Sequence, residues 1–173
     1  MQIRRRRFIQ AGIAGAVLLG VARWIDQPFA AAAVTNYRFL DARGVKSIGA
    51  LVPVVLAGVL PTDDVARQAA INDVVAAFDR AVAGLSIPVQ QEMGELFSFL
   101  HTPPLRVAFA GLWSSLEDST PQQIAEFLVR WRDSPFDLQR ASYRALTQLI
   151  QAAWYGSDLS WAAIGYPGPP AVG

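Results

Sequence analysis

The chain has 173 residues, no cysteine, one histidine and a formal net charge of +1. Without cysteine it can neither attach c-type haem nor provide thiolate ligands for an iron–sulfur cluster. Residues 1–33 hold five arginines and one aspartate, a charge of +4 that leaves −3 for the remainder. That acidic remainder argues against a nucleic-acid partner and is long enough for one modest domain.

The N-terminal segment has the features of an export signal. Four arginines at Arg4–Arg7 precede an apolar stretch at Ala11–Ala22, and a small-residue cleavage region follows at Ala30–Ala33. The apolar stretch is shorter than the ~20 residues that span a bilayer. Residues 5–10 resemble the twin-arginine pattern R-R-x-F-[LI]-[KQ], and the residues that carry the match are Arg5, Arg6, Phe8 and Ile9. We predict a twin-arginine signal peptide over residues 1–33, with an ordinary secretory signal or an uncleaved N-terminal anchor as alternatives.

Residues 34–156 predict a domain built only from helices. Asp41 is a suitable N-cap for a first helix running towards Leu56, with Pro53 as a kink or break. The residues Thr62–Asp64 offer the cap of a second helix, which Gly84 ends. Apolar residues recur on one stripe of this second helix, as expected for a helix packed on a core.

The second half of this domain repeats the pattern. A third helix follows Pro88 and is broken at His101–Pro104; the next apolar segment, up to Leu116, is a weaker helix prediction. Another helix begins at Pro121, with Ser119 or Thr120 as its cap. The last and longest helix follows Pro135, and its predicted inward-facing residues are Leu138, Ala145, Leu149 and Ala152. No segment alternates as a strand does, so the predicted fold is a small, irregular all-α bundle.

An extended C-terminal tail, residues 157–173, departs from the helical pattern. Its proline and glycine content cannot continue a helix or sheet beyond a single turn. Four of the nine Trp and Tyr residues of the chain nevertheless lie within its last twenty positions. Rigid aromatic side chains on a restricted backbone suit docking to a partner. The alternative, that the tail covers its own bundle, is equally compatible with the composition.

The residues of this chain do not suggest catalysis. His101 is followed by Thr-Pro-Pro and is expected in a loop or helix cap, so neither a metal site nor a serine–histidine pair is predicted. The acidic pairs Asp63–Asp64 and Glu117–Asp118 are better explained as helix caps, and no phosphate-binding glycine loop is present outside the signal. Arg132 lies in the unusual stretch 131–134, where it either caps a helix or bridges to another chain. We therefore predict no enzyme activity, cofactor or metal in this chain.

Two sequence stretches resemble a known family. They are FLVRWRDS at residues 127–134 and AAWYGSDLSWAAIGYPGPP at residues 152–170, preceded by the twin-arginine signal and the helical middle. In this order they resemble the small, or gamma, subunit of bacterial membrane-associated FAD-dependent dehydrogenases that oxidise gluconate, glucose, fructose or sorbitol. The second stretch is the more specific one.

The resemblance implies a role in a complex. A large flavoprotein of the glucose–methanol–choline type would hold FAD and oxidise the substrate, and a cytochrome c subunit with haem c would pass on its electrons. The small subunit would hold no cofactor, assist maturation of the large subunit and supply the export signal that the flavoprotein lacks. The implied partners are thus the flavoprotein, the cytochrome and the twin-arginine translocase. The location would be the periplasm, with membrane association only through the complex or an uncleaved signal.

This hypothesis predicts a set of partner-binding residues. They are Trp131, Arg132, Trp154, Tyr155, Trp161, Ile164, Gly165, Tyr166, Pro167, Gly168 and Pro169. Two alternatives remain open: a stand-alone periplasmic helical module that binds a small apolar ligand, and, less favoured, an enzyme in its own right. The substrate of the partner and the stoichiometry do not follow from the sequence.

Overall fold

The computed structural model describes residues 37–163. Seven α-helices and one 3-10 turn, at Leu116–Asp118, make up this part of the chain, and it contains no strand. The all-α prediction is therefore confirmed. In chain order the helices are α1 Ala42–Val55, α2 Asp64–Ala83, α3 Ile87–His101, α4 Pro103–Ala110, α5 Pro121–Arg132, α6 Asp137–Tyr155 and α7 Asp158–Ala163.

The helix ends follow local chemistry. The side chains of Asp41 and Asp63 each accept a hydrogen bond from a backbone N–H three residues later, at 2.6 and 2.8 Å. Thr120 and Gln123 form a reciprocal capping box at the start of α5. Gly84 ends α2, as predicted. Such caps satisfy backbone N–H groups that have no partner within the helix.

Helix α1 is central to the bundle. It packs against α2, α5, α6 and the 3-10 turn, while α3 and α4 pair with each other. Pro53 lies inside α1 near its end, where the helix continues to Val55 rather than breaking. The core is contiguous and apolar, and its largest fully buried side chains include Trp131, Phe78, Phe127, Ile48, Leu51 and Leu146. Burial of such side chains is the main favourable term in folding.

The inward face of α6 differs from the predicted one at its first turn. Leu138 is 56% exposed, so its predicted burial is wrong. Ala145 and Leu149 are buried as predicted, and Ala152 is only partly buried. The buried stripe also includes Leu146 and Ile150. The reason is positional, because Leu138 lies beside an open groove between α3, α4 and α6 rather than against the core.

A buried carboxylate holds the chain immediately before α1. Asp79 of α2 is 1% exposed and accepts three backbone hydrogen bonds. The donors are Arg38 N to Oδ2 at 2.8 Å, Phe39 N to Oδ1 at 2.8 Å and Leu40 N to Oδ1 at 2.7 Å. Consecutive N–H groups converging on one anion form a compact, charge-assisted contact. Asp79 thereby fixes residues 38–40, where the N-terminal segment joins the bundle, against α2.

Candidate interaction surface

Part of the predicted site lies outside the described residues. The export-signal residues Arg5, Arg6, Phe8 and Ile9 do so, and so does the tail range 164–169. Their predicted roles stay predictions. The other predicted partner-binding residues are described, and they fall into two groups: two tryptophans in the core, and three residues at or near the surface.

Trp131 belongs to the core. Its indole Nε1 donates to the backbone oxygen of Phe109 at 3.1 Å. Its ring meets those of Phe109 and Phe127 edge-on, with centroids 5.1 and 4.5 Å apart. Edge-to-face pairs stabilise a core beyond the area that they bury. Trp131 is thus occupied inside the bundle, which makes it a packing residue in this structure.

Trp154 is also buried, near the end of α6. Its backbone oxygen accepts from both the N–H and the hydroxyl of Ser157, at 3.0 and 2.7 Å. These bonds turn the chain out of α6 and into α7. Trp154 therefore shapes the corner from which the tail departs, and its ring is covered by the chain itself.

Arg132 is exposed at the end of α5. Its Nε and Nη2 donate to the two carboxylate oxygens of Asp133 at 2.8 and 2.9 Å. This two-point contact raises the pKa of Arg132 and lowers the pKa of Asp133. Exposed ion pairs of this kind contribute little to stability. Arg132 is accessible, with its charge already matched by its neighbour.

Tyr155 and Trp161 define the accessible part of the C-terminal corner. The side chain of Tyr155 is half exposed at the end of α6. The indole Nε1 of Trp161, on α7, donates to the backbone oxygen of Tyr155 at 3.1 Å. Leu159, on the same short helix, is also exposed. An aromatic and an aliphatic side chain thus stand exposed on a corner that hydrogen bonds hold in place.

Trp113 is an exposed aromatic residue that the sequence did not single out as functional. It is 84% exposed in the loop after α4. The buried guanidinium of Arg106 holds this loop by donating to the backbone oxygens of Leu112 and Trp113 at 3.3 and 3.2 Å. Gly111 starts the loop in the left-handed conformation, with φ of 64°. Tryptophan is among the residue types that most often contribute strongly to the binding free energy of protein interfaces.

The groove beside Leu138 has an apolar lining and a volume of about 220 Å³. Helix α3 forms one wall and α6 the other. Phe99 and Phe109 line it with ring centroids 5.6 Å apart. Its remaining apolar lining residues are Val89, Met93, Leu96, Ala141 and Ala145. This volume is below the ~300–1,000 Å³ of most small-molecule pockets and suits a few side chains.

Two carboxylates stand on the α3 side of the groove. Glu92 and Glu95 both line it, and Oε2 of Glu92 is buried without a hydrogen-bond partner. Burial raises the pKa of Glu92, and the charge of Glu95 raises it further. A buried oxygen of this kind is costly unless a donor reaches it. The groove therefore offers an apolar surface together with an unmatched acceptor.

His101, the last residue of α3, contacts Ser47 of α1. The distance from His101 Nε2 to Ser47 Oγ is 3.1 Å, and Ser47 Oγ also donates to Glu117 Oε2 at 3.5 Å. Burial lowers the pKa of His101, partly opposed by the charges of Asp41 and Glu117. Ser47 is fully buried, and Glu117 contacts the serine rather than the imidazole. The contact satisfies a buried hydroxyl but lacks the accessible nucleophile and oriented base of a hydrolase.

Within residues 37–163, no group of three or more His, Cys, Asp or Glu side chains is arranged to hold a metal ion. None of the helices in the same range combines the length and hydropathy needed to cross a membrane. Comparison with known protein-family models, characterised proteins and solved structures finds no match to this chain.

Proposed function

We propose that this chain is the non-catalytic small subunit of an FAD-dependent sugar or alcohol dehydrogenase. It would assist maturation of the large flavoprotein and lend it a twin-arginine export signal. The identity of the partner rests on the sequence resemblance, which includes residues 152–170. The chain itself would bind no cofactor, and the complex would act in the periplasm or on the periplasmic face of the inner membrane.

The observation that carries the proposal is the contrast within the Trp-Tyr pair that begins the most specific motif. Trp154 is buried and anchors the corner, while Tyr155 is exposed next to Trp161 and Leu159. The corner thus presents side chains suited to a partner directly before residues 164–170, which complete the motif. Tyr and Trp are among the residue types most enriched in interface hot spots.

Trp113 extends the proposal to a second contact. Its loop is held by Arg106 and by Arg130, whose Nη2 donates to the backbone oxygens of Ala110 and Gly111 at 3.3 and 3.4 Å. Because the loop is already ordered, binding through Trp113 would lose little conformational entropy. We expect the flavoprotein to cover this side chain as well.

Co-expression tests the role directly. The flavoprotein is produced with and without this chain, and its FAD content, solubility and periplasmic yield are measured. We expect all three to fall without the chain. Replacing Arg5 and Arg6 with lysine should leave both proteins in the cytoplasm. Equal FAD loading, solubility and export in the absence of the chain would refute the proposal.

Point variants then test the surface. Tyr155→Ala and Trp113→Ala should each weaken the purified complex by about tenfold or more, as hot-spot truncations do. Val65→Ala is the matched control, because Val65 is an exposed apolar residue on α2 outside both contacts. The expected affinity of the control equals that of the wild-type chain. If all three variants bind equally well, the partner does not use this surface.

The apolar lining of the groove, though not its small volume, supports a second candidate: a periplasmic module that binds a small apolar ligand. Its lining includes Met93, Phe99 and Phe109. Two results would support this candidate. The melting temperature of the purified monomer would rise when an apolar ligand is added, and the flavoprotein would mature and be exported without this chain. Phe99→Ala should then abolish the thermal shift. Without such a shift, the groove is better explained by a peptide segment.

A further inference from the structure

The groove between α3, α4 and α6 needs an occupant with two properties. Its lining is apolar, and Leu138 at its side is left exposed. Glu92 adds a buried oxygen without a partner, with the negative Glu95 beside it. An apolar segment that carries a cationic donor would cover the apolar lining and donate a hydrogen bond to the buried oxygen of Glu92.

Two segments of this chain lie outside the described residues, and charge distinguishes them. Residues 164–173, the last part of the tail, contain no Lys, Arg or His. The N-terminal segment 1–36 contains the apolar stretch Ala11–Ala22, with Arg23 directly after it and Arg4–Arg7 before it. Only the N-terminal segment therefore combines apolar surface with positive charge.

The chain length permits this contact. Arg38 lies 15 positions after Arg23, so the chain between them spans up to about 50 Å when extended. A domain of the described size has a radius of gyration of only about 14 Å, so the segment can reach any face. A tether of this length also provides an effective concentration in roughly the millimolar range. Weak contacts are then sufficient for occupancy.

We propose that the apolar stretch Ala11–Ala22 binds in the groove against Leu138, with Arg23 pairing to Glu92. The inference rests on the proposed function only in naming this stretch as the export signal. Docking shields the apolar residues from water until the translocase takes them. The groove is thus a resting site for the signal on the domain that it exports.

Photo-crosslinking of the isolated full-length chain tests this contact. A photoreactive phenylalanine analogue replaces Val17, in the middle of the stretch, and crosslinked peptides are identified by mass spectrometry. We expect intramolecular crosslinks to α3 or α6 residues of the groove. Leu138→Asp and Glu92→Lys should each lower their yield by about tenfold, because one removes apolar contact and the other the acceptor. Val65→Asp, on the exposed face of α2, should leave the yield unchanged.

The outcomes separate the occupants. Crosslinks elsewhere, or none, overturn the proposal, as does the same yield in all variants. Crosslinks between two chains would assign the groove to a second copy. A probe at Ala171 that reaches the groove would assign it to the tail. Both Leu138 and Glu92 are at least partly exposed, and circular dichroism verifies that the variants fold. No flavoprotein is present, so failure here differs from failure of the escort role.

Discussion

Replacing Asp79 with alanine removes the shared acceptor of three backbone N–H groups, those of Arg38, Phe39 and Leu40. The bonds are short and the carboxylate is buried, so the loss affects a desolvated site. The N–H of Leu40 is buried and cannot turn to water, whereas the contacts of Arg38 and Phe39 are only part-buried.

The cost follows from these three positions. A hydrogen bond to a charged group contributes about 1.5–3 kcal/mol, and a buried N–H left unpaired costs about 1–3 kcal/mol. The two part-buried groups recover most of their loss by bonding to water, and removing a buried charge returns some desolvation energy. We expect Asp79→Ala to lower the free energy of unfolding by about 2–4 kcal/mol, or the melting temperature by roughly 10 °C.

Asp79→Asn isolates one of the bonds. Its oxygen can still serve Phe39 and Leu40, while its NH₂ group faces the N–H of Arg38, so we expect a loss of about 1–2 kcal/mol. Asp73→Ala is the control, because Asp73 is exposed on the same helix, and it should change stability by less than about 0.5 kcal/mol. Urea unfolding monitored by tryptophan fluorescence measures all three. A loss below about 1 kcal/mol for Asp79→Ala would refute the assigned anchoring role.

Three further predictions concern the pH dependence and the Trp113 loop. Because the pKa of His101 is lowered in the folded chain, the unfolded chain takes up a proton at this residue first as the pH falls, and stability decreases below the ordinary pKa of about 6.5. In that pH range the urea midpoint of His101→Asn should depend less on pH than that of the wild-type chain, and an equal pH dependence would contradict this. Arg106→Met should lower the free energy of unfolding by about 2–3 kcal/mol, because three hydrogen bonds from the guanidinium to backbone oxygens are lost. The control Arg144→Met, at an exposed position, should have a negligible effect, and urea unfolding measures both. Gly111→Ala should lower stability by about 1–2 kcal/mol, because the φ of 64° is strained for a residue with a Cβ. Gly49→Ala, in open space within α1, should raise stability by up to about 1 kcal/mol. Thermal melts in which Gly111→Ala is the more stable variant would contradict the backbone strain assigned to Gly111.

Aromatic residues show where inference from sequence stops. Trp131 has an arginine on each side in the sequence and is buried, whereas Trp113 directly follows Gly111 and Leu112 and is exposed. Trp131 is predicted from sequence to bind a partner, and it lies on the buried face of its helix; the spacing within one helix does not tell a core position from an interface position. Exposure depends on which distant elements cover a position, such as Phe109 from α4 over Trp131.

The sequence by itself determined the helical class and most helix boundaries. Caps such as Asp41, Asp63 and Thr120 lie within three residues of the groups that they bind, so these signals are local and readable. Only the tertiary structure decided that Asp79 holds residues 38–40, about forty positions away, and that Leu138 borders a groove. Those features arise from packing between segments remote in the chain, and periodicity within one helix carries no information about what lies opposite it.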